Sequence, residues 1–138
     1  MRYFKFSILA TRGGGANQQI AEFNILLQGA LVSYGSASAS APGGSSPSGE
    51  DPSHAIDGSL TAKYFDFNKV ALIINLGQPT PANQYTWATA NDHSERDPWT
   101  WVMYGSVDGL TWRVMSSVSN YDATQNRDTF VDTTWTMT

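Results

Sequence analysis

One short segment of the chain concentrates the side chains that could do chemistry. Residues 91–98, which read NDHSERDP, hold three carboxylates together with an arginine, a histidine and an asparagine. Asp92, Glu95 and Asp97 could supply the two carboxylates that a glycosidase places about 5 to 9.5 Å apart across a sugar bond. Acids clustered beside an arginine such as Arg96 more often form a salt-bridged loop clamp, so we do not expect an enzyme.

The same segment suits sugar binding without catalysis, which needs only fixed donors, fixed acceptors and an apolar face. The candidate ligand-binding side chains are Asn91, Asp92, His93, Arg96 and Tyr64. Tyr64 is included because it and Phe65 follow a loop. Of all the aromatic residues, these two have the weakest indication of core burial in the sequence pattern. Two interpretations of residues 91–98 stay open, a binding site and a structural clamp.

Other catalytic chemistries find little support in the sequence. The two histidines, His54 and His93, lie too far apart for a zinc site, and the chain has no cysteine. Ser106 stands one position early for the G-x-S-x-G nucleophile motif and is predicted to be a turn serine. The glycines at 13–15 lack the spacing and the lysine of a phosphate-binding loop, so we expect a flexible turn there.

Length and composition limit the chain to few classes of protein. The 138 residues, 41% hydrophobic and 14% charged, predict one globular domain spanning residues 1–138. Eight basic and twelve acidic residues give a net charge of −4, so we expect no nucleic-acid partner. No apolar stretch approaches the roughly 20 residues that cross a bilayer, and no secretory apolar region follows the basic start. We therefore expect a soluble chain without a signal peptide and without membrane insertion.

The elements that must position these side chains are predicted to be short β-strands. Apolar and polar residues alternate in several runs that turn residues separate, a pattern typical of an antiparallel sandwich. Residues 18–27 also fit a helical stripe, but we predict a strand. The predicted strands are residues 2–11, with Phe4, Phe6, Ile8 and Ala10 on one face, and residues 18–27, 69–76, 84–90, 99–105, 112–118 and 129–137.

The connections and the tryptophans complete this prediction. Residues 36–53 contain seven serines and are predicted to form a long surface loop. Asp108 and Gly109 predict a two-residue type I′ turn between two paired strands. Four large side chains are predicted to lie in the core and not to stack on sugars, the first three because they share a strand face and the last because it directly follows a tight turn. They are Trp99, Trp101, Met103 and Trp112.

Several motifs follow one another along the chain. They are AIDG at 55–58, KYFDF at 63–67, LIINLG at 72–77, YTWATAND at 85–92, RDP at 96–98, Trp101 and YGSVDGLTW at 104–112. In this order they resemble the galactose-binding-like family, which includes discoidin (coagulation-factor C-type) domains and the family 32 carbohydrate-binding modules. The resemblance implies an all-β fold, an antiparallel jelly-roll sandwich.

The start of the chain resembles the end of that family's domain. Residues 1–27 look like the strands that usually close the sandwich, yet here they come first. The resemblance therefore implies a circularly permuted sandwich. Such a permutation is physically easy, because the ends of a compact domain often lie close together.

The resemblance also implies a structural calcium ion, whose oxygen ligands would tie distant segments together. Mapped onto this sequence, the implied ligands are the carbonyls of Ala21 and His54, the carboxylates of Glu22 and Asp57, and Ser59. Ser59 and Ala62 depart from the family's usual residues. The alternative therefore stays open, in which Asp57 caps a turn, Glu22 is solvated and no metal binds.

Taken with the resemblance, these features predict a non-catalytic carbohydrate-binding-type module. Because neither a signal peptide nor a catalytic domain is apparent, we expect it to belong to a larger particle such as a phage virion surface. Its partners would be cell-surface or polymeric carbohydrate, or other virion proteins, and self-association is compatible with this role. The alternative is a structural capsid decoration (cement) or tail protein that binds protein only.

Overall fold

The structure is a computed structural model that describes residues 1–138. It contains eleven β-strands, no α-helix and two short 3-10 helices, Pro52–Ile56 and Ser94–Arg96. In chain order the strands are β1 (Tyr3–Thr11), β2 (Gln18–Ile20), β3 (Glu22–Leu27), β4 (Ala30–Leu31), β5 (Ser38–Ser40), β6 (Tyr64–Asp66), β7 (Leu72–Asn75), β8 (Gln84–Ala88), β9 (Pro98–Ser106), β10 (Arg113–Val118) and β11 (Trp135–Thr136). The predicted all-β class is confirmed.

The strands form two main sheets, consistent with a β-sandwich, and every pairing is antiparallel. The larger sheet has the order β10-β9-β1-β7-β5, and the smaller has the order β11-β8-β3-β4. A separate two-stranded ribbon joins β2 to β6. The first strand of the chain thus lies in the middle of the larger sheet.

An aromatic core lies between the two sheets. Phe6 of β1 packs on Phe23 of β3 with ring centroids 4.8 Å apart. Trp101 of β9 meets Trp87 of β8 edge to face at 5.9 Å, and the Trp101 indole N–H donates to the Tyr85 hydroxyl at 2.9 Å. Burying these large rings supplies much of the hydrophobic stabilisation of the fold.

The alternation predicted for the first strand is confirmed for its first two thirds. Phe4, Phe6 and Ile8 are buried. The pairing register between β1 and β9 then shifts, as it does at a β-bulge. Thr11 is therefore buried in place of Ala10, which the sequence placed on the inner face.

Three predicted segments differ from the structure in their detail. Residues 18–27 form strand and not helix, but the strand breaks at Ala21 into β2 and β3, which join different partners. Residues 36–53 are not wholly loop, because β5 adds an edge strand to β7 through backbone pairing. Residues 129–137 contain only β11 and a single bridge from Phe130 to Ala88.

The hairpin between β9 and β10 is confirmed, but its turn is longer than predicted. Residues 107–112 separate the two strands, and only Gly109 of the Asp108-Gly109 pair has a positive φ, at 76°. Asp108 accepts the backbone N–H groups of Leu110 and Thr111 at 2.8 and 3.0 Å and so stabilises the wider turn. Ser106 is a turn serine as predicted, since its hydroxyl accepts the Gly109 N–H at 2.8 Å.

Two of the four side chains predicted for the core lie near the surface instead. Trp101 and Met103 are fully buried, whereas Trp99 and Trp112 are half-buried. Trp99 stands where the β1–β9 register shifts, and its indole N–H bonds to the exposed Asn120 side chain at 3.0 Å. The Lys5 ammonium lies over the Trp112 ring, 4.4 Å from its centroid. Neither helix has the length and apolar character needed to cross a membrane.

Candidate functional site

An open hollow of about 280 Å³ lies beside the loop at residues 91–98. Three separate segments of the chain form its walls. The residues that line it are Pro47, Glu50, Lys63, Phe65, Phe67, Asp92 and Arg96. Its volume lies just below the range typical of small-molecule sites, roughly 300 to 1,000 Å³, so the hollow suits a ligand that stays partly in water.

Backbone pairing builds one wall of this hollow. The Phe65 N–H donates to the Glu50 carbonyl at 2.9 Å, and the Phe67 N–H donates to the Ser45 carbonyl at 2.9 Å. The buried Asp66 carboxylate accepts the backbone N–H of Ser45 at 2.9 Å and the hydroxyl of Tyr64 at 2.8 Å. The serine-rich segment is thereby fixed along β6.

Two phenylalanines supply the apolar part of the site. Phe65 belongs to β6 and is only 4% exposed, whereas Phe67 follows the strand and is 49% exposed. Their rings meet edge to face with centroids 4.9 Å apart. Phe65 therefore supports Phe67, which presents an aromatic surface to the hollow.

Lys63 organises the acidic groups around the hollow. Its ammonium lies 2.9 Å from the Asp92 carboxylate and 3.5 Å from that of Glu50, and it donates to the Gln19 side chain at 2.9 Å. Burial acts to raise the pKa of Asp92, but the hydrogen bond and charge of Lys63 outweigh it and lower that pKa. Asp92 is therefore a fixed carboxylate at neutral pH.

Arg96 lines the hollow without such a partner. Its guanidinium carbon lies 4.9 Å from the centroid of the Phe65 ring, within cation–π range. It makes no salt bridge, and its side chain donates no hydrogen bond within the chain. Arg96 also borders a second hollow of about 290 Å³, which is lined otherwise by Gly13, Gly15, Ala16, Asn17 and Glu95.

The loop that carries Arg96 is clamped from its inner side. Asp97 is fully buried, and its two carboxylate oxygens accept hydrogen bonds from the two terminal nitrogens of Arg127 at 3.0 and 2.7 Å. Burial raises the pKa of Asp97, although Arg127 and Arg12 oppose that change. The Gly13 N–H donates to the Glu95 carbonyl at 2.8 Å, so the glycine turn is anchored to this loop and is not free. The loop is a clamp on one side and presents Arg96 on the other.

Of the ligand-binding residues proposed from the sequence, some line the hollow, some lie beside it and one is buried away from it. Asp92 and Arg96 line the hollow, while Asn91 and His93 are exposed beside it. The His93 ring bonds to the Glu95 carboxylate at 2.8 Å. Tyr64 does not belong to the surface site, because it is 1% exposed and its hydroxyl is bonded to Asp66 and Gln18.

Sequence reasoning missed five side chains that line the hollow, one of which is Phe65. Lys63 and Phe67 flank the aromatic pair at positions 64 and 65, while Pro47 and Glu50 come from the serine-rich segment. Only the pairing of that segment with β6 brings them to residue 92. The one signal in the sequence was the cluster of charged and aromatic residues at 63–67.

The three carboxylates considered for glycosidase chemistry do not share one environment. Asp97 is sealed inside the clamp, whereas Glu95 is exposed and bonded to His93. The pKa of Glu95 is lowered, first by a backbone hydrogen bond and then by His93. A general acid needs a raised pKa and access to substrate. None of the three has both.

The residues implied for calcium meet where the helix Pro52–Ile56 packs against β3. Glu22 is 3% exposed; its Oε2 accepts the Gly58 N–H at 3.0 Å, and its Oε1 is buried without a partner. Burial raises the pKa of Glu22 to about 8, a rise opposed by the Gly58 N–H and reinforced by the nearby Asp57 carboxylate. Two adjacent carboxylates with one orphaned oxygen fit a hard cation such as calcium.

The other implied ligands contribute less to that fit. The Ser59 hydroxyl lies 3.0 Å from that of Thr61, and the His54 ring bonds to Asp57 at 3.0 Å. No group of three or more His, Cys, Asp or Glu side chains is arranged so that it could hold a metal ion by itself. The carbonyls of Ala21 and His54, together with water, would have to complete a calcium shell around Glu22 and Asp57.

Comparison with known proteins found no match: no protein-family model, no curated protein and no solved structure matches this chain.

Proposed function

We propose that this chain is a non-catalytic carbohydrate-binding module whose site is the hollow between Phe67 and Arg96. The observation that carries this proposal is a half-exposed aromatic ring beside fixed charged donors and acceptors. A sugar has an apolar C–H face that packs on such a ring and hydroxyls that need hydrogen-bond partners. Arg96 supplies donors, and the Asp92 and Glu50 carboxylates held by Lys63 supply acceptors.

The state of the acids supports binding rather than reaction. Asp92 is held ionised by Lys63, which also lies 3.5 Å from Glu50. The carboxylates of Asp92 and Glu50 can accept hydrogen bonds from hydroxyls. The lowered pKa of Asp92 leaves it no proton to donate near neutral pH.

A glycan array tests the proposal with two matched variants. Phe67→Ala removes the exposed ring of the site, and Leu110→Ala removes an 84% exposed side chain from the β9–β10 loop. We expect the wild type to bind a defined set of glycans, Phe67→Ala to lose about tenfold or more in affinity, and Leu110→Ala to match the wild type. A folded wild type that binds no glycan, or a Phe67→Ala variant that binds as well as it does, would contradict the proposal.

A second candidate function is the protein-only decoration or tail role. Three exposed apolar side chains favour it, namely Val107, Leu110 and Val114, which are 71%, 84% and 56% exposed in or just after the β9–β10 loop. A blank glycan array together with self-association that Leu110→Asp abolishes would support this role. Membership of a phage particle stays a prediction, which capsid or tail genes beside this one would test.

We further propose that Glu22 and Asp57 hold a structural calcium ion. Its support is the buried, unpartnered Glu22 oxygen beside a second carboxylate. The ion would neutralise this pair and join β3 to the segment after the helix Pro52–Ile56.

A further inference from the structure

Arg96 is the one cation of the hollow that lacks a counter-ion. Lys63 already serves Asp92 and Glu50, and Glu95 already pairs with His93. Arg96 makes no salt bridge, although it is half-buried between two hollows, and the exposed Glu95 feels its charge only weakly. A partly buried charge without a partner is unfavourable, so an anion placed there gains more than it would at an exposed arginine.

The position of Arg96 is fixed before any ligand arrives. Its guanidinium lies over the Phe65 ring, and Phe65 is held by backbone bonding to Glu50. The following residue, Asp97, is locked by Arg127. The Arg96 side chain makes no salt bridge and donates no hydrogen bond within the chain, so its N–H groups are free, and a guanidinium can hold a planar carboxylate through two parallel hydrogen bonds.

The surrounding acids restrict where an anion can bind. Asp92, Glu50 and Glu95 all carry oxygens that repel a carboxylate, so a bound acidic sugar must direct its carboxylate to Arg96 and its hydroxyls to the other groups. The hollows on both sides of Arg96 leave room for neighbouring sugar units.

We propose that the preferred ligand is a glycan with a carboxylate-bearing sugar, a uronic or a sialic acid, and that Arg96 receives this carboxylate. This inference rests on the proposed carbohydrate-binding function. It names a ligand class that neither composition nor motif indicates, because the protein as a whole is acidic, with a net charge of −4.

Binding of matched acidic and neutral probes tests the inference. We would measure affinity for trigalacturonate against its methyl ester, and for sialyllactose against lactose, by calorimetry. We expect one acidic probe of these two pairs to bind at least about tenfold more tightly than its neutral partner, which is the effect of charge-assisted hydrogen bonds. Which pair shows the difference identifies the acid.

Variants of arginines assign the effect to this residue. Arg96→Gln should reduce the acidic probe to the affinity of its neutral partner, and Arg96→Lys should restore only part of the preference because lysine lacks the planar fork. The exposed Arg113 is the matched control, and Arg113→Gln should leave the preference unchanged.

The outcomes separate this inference from the proposed function. Equal affinity of wild type for both members of each pair, with loss of both in Phe67→Ala, would overturn the acidic preference and leave the carbohydrate site standing. No binding of any glycan to folded wild type would overturn both. An acidic preference that survives in Arg96→Gln would also overturn the assignment to Arg96. The wild-type comparison decides the preference itself even if a variant fails to fold.

Discussion

Glu22 shows how strongly one buried group can control this fold. Its carboxylate is removed from water, faces the Asp57 side chain and accepts backbone N–H groups only from Gly58 and Asp57. With a pKa of about 8 it is largely protonated at neutral pH as long as no cation is bound. A calcium ion would favour the ionised form, so calcium binding and proton release at Glu22 are linked.

We predict that Glu22 makes stability fall as pH rises in the presence of a chelator. The unfolded carboxyl releases its proton near 4.5, while the folded one holds it to about 8, so the folded state binds more protons between these values. The expected loss across this window is on the order of 3 kcal/mol, measured by denaturant unfolding at pH 5 and pH 8.5. Added calcium should restore stability more at pH 8.5 than at pH 5.

Two variants make this prediction specific. Glu22→Gln should remove most of the loss between pH 5 and pH 8.5, along with the response to calcium. Glu95→Gln changes an exposed carboxylate and should keep both. Identical unfolding with calcium and with chelator would show that no calcium ion stabilises the fold. An unchanged pH dependence in Glu22→Gln would show that the raised pKa of Glu22 is not its cause.

At this scale the sequence predicts charged loop residues better than aromatic ones. Asp92 and Arg96 could be found because ionisable groups cluster between two strands. Tyr64 and Phe67 could not be told apart, because β6 is buried on both faces and the usual alternation of a strand fails there. Burial of Tyr64 and exposure of Phe67 follow from where the ribbon ends, which only the packed structure shows.

Among the elements, the glycine turn and the helix Ser94–Arg96 depend on each other. A Cβ on Gly13 would stand 2.7 Å from the Glu95 Cβ and 3.1 Å from its carbonyl oxygen, so only glycine permits this approach. The contact holds this helix, and with it Arg96, in place. The contact between the glycine turn and the loop at residues 91–98 therefore positions Arg96, which no strand carries.

We predict that Gly13→Ala weakens both the fold and the site. The added methyl group must push the helix Ser94–Arg96 away, at a cost of about 1 to 3 kcal/mol, and glycan affinity should fall with the displacement of Arg96. Gly15→Ala is the control, since its Cβ would meet nothing within 4 Å. Thermal unfolding and glycan titration of both variants test this, and two variants that behave alike would show that the contact is not tight.

The length of an element decided whether the sequence could predict it. The long strand β1 was predictable because Phe4, Phe6 and Ile8 keep a period of two. The short strand β5 was not, because serine and alanine show no such pattern and its pairing with β7 is made by the backbone. Pairing partners of that kind are set by the tertiary fold and leave no local trace.

For the whole molecule, the main feature is that both ends of the chain lie near Met115. The Met1 side chain lies 3.2 Å from where a Cβ on Gly105 would stand, and the Met115 side chain packs on the same glycine. The Thr138 N–H donates to the Met115 carbonyl at 3.0 Å. A short linker could therefore join Thr138 to Met1 without moving either sheet.

We predict that the chain tolerates circular permutation at the β3–β4 turn. Joining Thr138 to Met1 through a Gly/Ser linker and opening the chain between Gln28 and Gly29 keeps every strand of both sheets whole. The new ends interrupt an exposed turn in which the two N–H groups bond to the side chains of Asn83 and Gln84. Loss of both bonds should cost at most about 2 kcal/mol, so cooperative unfolding and glycan affinity should persist.

A permutant opened between Ser7 and Ile8 provides the contrast. It divides β1, which lies between β9 and β7 and carries the buried Phe6 and Ile8, so each half would have to find its place separately. We expect this permutant to lose cooperative unfolding and the near-ultraviolet circular dichroism of its packed tryptophans. If the Gln28/Gly29 permutant fails in the same way with linkers of several lengths, the order of the strands along the chain matters to this fold, and the interpretation of the sequence as a rearranged sandwich loses its physical basis.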